Sequence, residues 1–115
     1  MEYLNKVLGI EVSYEDVEFK HLPNFIVTRY RLKMASMNGK KVIFLYPKTE
    51  LEQIEVLKKH IARIQKNENN PIVLVLNKLG FRQKEYLIRE KIPFIVEGKQ
   101  IYLPFMALYL QERCN

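Results

Sequence analysis

The chain has 115 residues, 48% hydrophobic and 28% charged, with 19 Lys and Arg against 13 Asp and Glu for a net charge of +6. That is ordinary globular composition at the length of one domain, and it excludes disorder across the whole chain. Apolar runs such as residues 42–46 and 72–76 fall far short of the ~20 residues of a membrane-spanning helix, and the single cysteine, Cys114, excludes a disulfide scaffold.

The N-terminus lacks the basic start and apolar core of a signal peptide, so the expectation is a soluble, cytoplasmic domain spanning residues 1–115. Residues 2–8 are weakly helical, with Gly9 placed to stop the turn. Residues 11–20 read as a short strand or arm, and Pro23-Asn24 as a turn. From 25 to 34 the pattern has period two. Ile26, Tyr30, Leu32 and Met34 share one face; Arg29, Arg31 and Lys33 share the other. Asn38-Gly39 predicts a two-residue hairpin, since both positions tolerate positive φ. The apolar run 42–46 predicts a strand covered on both sides, ended by Pro47.

Thr49-Glu50-Leu51-Glu52 fits a capping box, predicting a helix over about 50–66 with Ile54, Leu57, Ile61 and Ile64 on its inner stripe. Residues 67–71 break it, and 72–76 form a second buried strand, completing a βαβ unit. A shorter helix over about 81–91 turns Phe81, Leu87 and Ile88 inward. A hairpin of 94–96 and 100–103 turns at Gly98, and 105–113 suit a terminal helix. The order helix, strand, helix, hairpin also invites comparison with a winged helix. That fold needs two helices between strand and hairpin, and only one fits here. The predicted class is α/β, a small mixed sheet with a crossover helix.

Charge is unevenly placed. Residues 1–18 carry one lysine and five acids, a net of −4, which leaves +10 for the remainder. Residues 19–49 hold seven basic residues and no acid. Such asymmetry fits a polyanionic partner, and Arg29, Arg31, Lys33, Lys40 and Lys41 are the candidate phosphate contacts. The alternative is a solvated strand face near an acidic arm. Lys78, in the turn Asn77-Lys78-Leu79-Gly80, lies where α/β sheets often bind anions, though an ordinary capped turn explains it better.

Chemistry is sparse. His21 and His60 stand 39 positions apart with no ligand spacing, and His60, among Lys58, Lys59 and Arg63, reads as solvated. The four glycines make neither phosphate-loop pattern. Glu97-Gly98-Lys99 and Glu18-Phe19-Lys20 match the short half of a nuclease motif, but Asp16 is the sole aspartate. Aromatics segregate from the basic residues, since Tyr30 points inward and Phe44 and Tyr46 belong to the buried run; single-strand recognition needs the opposite. No catalytic residue, metal or cofactor is expected.

The stretch Lys91-Ile92-Pro93-Phe94-Ile95-Val96-Glu97-Gly98-Lys99-Gln100-Ile101-Tyr102-Leu103-Pro104-Phe105, with Pro71-Ile72-Val73-Leu74-Val75-Leu76 and Tyr86-Leu87-Ile88, resembles the N-terminal α/β domain of bacterial transcription regulators of the MarR or winged-helix kind, found mainly in Gram-positive bacteria. The likeness covers about residues 50–106, and Glu97 stands where a proline is the family-like residue. It implies a non-enzymatic domain that dimerises, senses a small ligand or positions a DNA-binding winged helix lying beyond residue 115, with DNA contacted by the full-length regulator. The apolar run at residues 105–110, close to the end of the sequence, independently suggests a longer protein. The other reading is a stand-alone basic nucleic-acid-binding module or a degenerate nuclease-like domain.

Overall fold

The computed structural model describes residues 1–106 with their side chains and residues 108–111 by their backbone. Helix α1 (Glu2–Leu8) buries Leu4 and ends at Gly9, whose φ of 67° lets its N–H close on the Asn5 carbonyl. Strand β1 (Val12–Glu15) follows. The segment expected to begin a strand at Phe25 instead opens with a single helical turn, α2 (Asn24–Val27). Both the Ile26 and Val27 N–H groups bond the Pro23 carbonyl, and only Tyr30 starts the strand. Strands β2 (Tyr30–Met37) and β3 (Lys40–Pro47) make the predicted hairpin, with Asn38 and Gly39 at φ 49° and 86°. Asn38 also ties the chain ahead of β1: its Oδ1 accepts from the Glu11 N–H and its own N–H donates to the Glu11 carbonyl.

The capping box does not form. Helix α3 runs Ile54–Gln65, with Gln53 rather than Thr49 before it. The chain leaving β3 is held along the α2 turn, because the Lys48 N–H bonds the Arg29 carbonyl, its Nζ bonds the Val27 carbonyl, and Glu52 is drawn to Arg29 at 3.5 Å. Glu52 is thus engaged elsewhere, and the helix begins later. Strand β4 (Ile72–Leu76) is buried throughout. Helix α4 (Phe81–Arg89) starts where the Gly80 N–H donates to Gln83 Oε1. Its stop is a Schellman arrangement, Ile92 N–H to the Leu87 carbonyl and Lys91 N–H to that of Ile88, with Lys91 in the left-handed region. Phe81, expected inward, is 72% exposed, whereas Leu87 is buried and Ile88 packs on the core. Strands β5 (Phe94–Val96) and β6 (Gln100–Leu103) form the second predicted hairpin.

The expected terminal helix does not form at residues 104–106 or 108–111. A 3₁₀ turn (Pro104–Met106) leads into strand β7 (Leu108–Gln111), which pairs with β6 from Leu103↔Leu108 to Gln100↔Gln111. The free edge of β6 offers unmade backbone hydrogen bonds, and pairing satisfies them. Residues 107, 112 and 113 of that expectation lie outside the described residues.

Within the described residues the sheet has seven strands in sequence order. Strands β1, β2 and β3 are antiparallel, β3, β4 and β5 are parallel, and β6 and β7 return antiparallel. Parallel neighbours joined through helices confirm α/β and set aside the winged helix. Leu57 and Ile64 of α3 and Leu87 of α4 cluster with Met34, Ile43, Leu45, Leu74 and Phe94 on one side of the sheet. Leu4 clusters with Val42, Phe44, Val73, Ile95 and Ile101 on the other, with Phe105 and Met106 against them. Residues 42–45 and 72–76 are apolar at every position because both faces are covered.

Candidate functional site

Alternation along β2 places Arg31 and Lys33 on the side of the sheet that carries Phe44 and Tyr46. There, where β3 and β4 terminate, a groove of about 470 Å³ is lined by Arg31, Lys33, Tyr46, Lys48, Asn77 and Glu97, among others. The carboxyl ends of parallel strands are where α/β sheets commonly hold ligands, and the volume is that of an ordinary small-ligand pocket, ~300–1,000 Å³.

Arg31 and Lys33 are exposed, and among the described residues neither is in an ion pair. Lys33 Nζ stands 5.1 Å from the Tyr14 ring centre and 5.8 Å from that of Tyr46. The rings are braced in a row. Tyr14 meets Phe44 edge-on at 6.1 Å and Phe44 meets Tyr46 edge-on at 6.3 Å. Tyr46 is half-buried; burial, and then Tyr14 as neighbour and hydrogen-bond partner, push its hydroxyl well above the usual phenol range, with Arg31 pulling the other way. Tyr14 is 48% exposed. Cations and aromatics therefore share a surface, which corrects the expected segregation. The missing signal was register: Tyr14 sits opposite Ala35 across β1 and β2, a pairing that no local pattern in residues 11–20 betrays.

The five expected phosphate contacts do not converge. Arg31 and Lys33 stand together in the groove. Arg29 lies outside the strand and pairs with Glu52 at 3.5 Å. Lys41 pairs with Glu15 at 3.6 Å, and Lys40 stands over the Phe105 ring at 5.8 Å. Lys40 is four register positions from the rung of Lys33, about 13 Å along the strand. Lys78 lines an adjoining cavity of about 350 Å³ with Thr49, Glu50 and Gln83, in a turn whose only other device is the Gly80–Gln83 cap. A larger cavity, about 730 Å³, lies between α1 and the β1 edge; Glu2, Glu11 and Lys6 give it mixed charge with no convergent set.

His60 is not solvated. It is 7% exposed, and its Nδ1 shares a 2.6 Å hydrogen bond with the buried Tyr30 hydroxyl. Phe25 and Tyr30 both pack on the imidazole. Burial holds His60 below its ordinary value of 6.5 and pushes Tyr30 up to about 12. Its partner stands 30 positions away, so the lysines flanking His60 in sequence misled. The pair joins β2 to α3, with Glu52 and Arg29 as its charged neighbours, and neither residue lines the groove. Among the described residues no three His, Cys, Asp or Glu side chains gather in a metal-binding group, and no helix is long and apolar enough to cross a membrane.

No family model, curated protein or solved structure matches the chain. The resemblance to regulator domains rests on the residues quoted for it.

Proposed function

We propose that this chain is a non-enzymatic regulatory domain, of the kind that precedes the DNA-binding part of a transcription regulator, and that it contacts nucleic acid through the groove at the carboxyl ends of β3 and β4. The observation that carries this is the placement of Arg31 and Lys33, two cations without ion-pair partners among the described residues, beside Tyr14 and Tyr46. Guanidinium and ammonium groups on an open sheet end hold phosphates by charge and position, without cleaving them. The groove is lined by cations, a phenol, an amide and one carboxylate, Glu97, a set suited to holding an anion. Hydrolysis needs paired acids or a placed base. The resemblance to regulator domains supports the same reading.

The test is the salt dependence of binding to a fluorescent oligonucleotide, followed by anisotropy. Each phosphate neutralised contributes about 0.7 to 0.9 to the slope of log affinity against log salt. Arg31→Gln with Lys33→Gln should lower that slope by about 1.4 to 1.8. Arg29→Gln with Lys41→Gln, whose cations already face acids, should lower it by less. An unchanged slope in the first pair would remove the proposal.

A further inference from the structure

We infer that the groove takes a single strand rather than a duplex, with one base stacked on Tyr14 and its phosphates on Arg31 and Lys33; this rests on the nucleic-acid reading above. Duplex readers insert a protruding helix or ribbon into a groove of the DNA. This surface is concave, crosses the ends of strands, and has no such projection among its lining residues. Single-strand sites instead combine a cationic track with aromatic platforms, because every base has a face to stack and a phosphate to neutralise.

The platform is Tyr14. It is the more exposed of the two tyrosines, and its edge contact with buried Phe44 holds the ring. Lys33 Nζ rests over the face a base requires. An arriving base displaces the ammonium toward the phosphate that base carries, so a weak charge–ring attraction gives way to a full charge pair. Glu97 across the groove repels phosphate, which keeps the backbone on the β2 side. A deoxyribose and a ribose strand present the same base and phosphate chemistry, and the experiment separates them.

Anisotropy with the full chain would compare a labelled 12-mer single strand, as DNA and as RNA, with the same DNA sequence as a duplex. The single strand is expected to bind at least tenfold tighter than the duplex. Tyr14→Leu should weaken single-strand binding by about 5- to 150-fold, the range of one lost base–aromatic stack. Tyr14→Phe keeps the ring and should stay within twofold. Tyr86→Leu removes a different exposed tyrosine, one facing Arg89 on α4, and should have no effect. The tighter of the DNA and RNA strands identifies the ligand. Duplex binding equal to single-strand binding, or equal losses in Tyr14→Phe and Tyr14→Leu, would overturn the inference. If Arg31→Gln with Lys33→Gln still weakens both forms in those cases, the broader nucleic-acid reading survives. Absence of any binding removes both.

Discussion

His60 shows how one buried side chain couples pH to stability. Its imidazole is held below 6.5 mainly by burial, with Glu52 raising it and Arg29 lowering it. The unfolded chain therefore binds the proton first as pH falls. Stability contributed by neutral His60 is present above about pH 6.5 and is lost as pH drops below that toward the folded-state value. Urea midpoints at pH 7.5 and 5.5 should show the loss, and His60→Leu should flatten the dependence over that window. His60→Leu should also lower stability at pH 7.5 by about 1–3 kcal/mol, because the buried Tyr30 hydroxyl loses its partner. A pH dependence as steep in the variant as in the parent chain would exclude His60 as its source. The residue scale is also where local reading fails most. The flanking lysines argued for solvent, and the deciding neighbour, Tyr30, comes from another element.

At the scale of elements, the end of α4 stores a correctable cost. Lys91 adopts φ 55° to close the Schellman turn, and Ile92 and Leu87 bury together beside it. A left-handed conformation costs a residue with a Cβ roughly 1–2 kcal/mol, offset in part by the freedom glycine gives the unfolded chain. Lys91→Gly should therefore raise stability, by about 0.5–1 kcal/mol, in thermal or urea unfolding; a fall would mean that the lysine makes a compensating contact. Element existence was legible for α3, α4, the two hairpins and the βαβ unit, since each shows in local periodicity or turn chemistry. Boundaries were not. The capping box lost to the tether of Lys48 and Glu52 on the α2 turn, and the terminal helix lost to the free edge of β6. Both outcomes depend on distant partners.

At the scale of the molecule, the sheet separates two apolar clusters, one under α3 and α4 and one beside α1. Truncations on opposite sides share no partner, so their costs should add. Ile64→Val and Ile101→Val should each cost about 0.5–1.5 kcal/mol, and the double variant should match their sum within about 0.5 kcal/mol. A larger discrepancy would show that strain passes through β3 and β4. The groove is a product of the same layering: the cover of the second face stops short of the ends of β3 and β4, leaving Arg31 and Lys33 exposed and Tyr46 half-buried.

The sequence by itself determined the α/β class, the basic character of the β2 face and the two glycine-turned hairpins, because period, turn residues and charge are local properties. It also brought Arg31 and Lys33 together, two positions apart on one strand. Only the tertiary structure decided that Tyr14 joins them, that Arg29 and Lys41 are paired with acids, that Lys40 stands apart, and that His60 is buried against Tyr30. These depend on strand register and on which acid folds against which base. Such contacts join residues far apart in the chain, and their energy appears only once the chain has closed on itself.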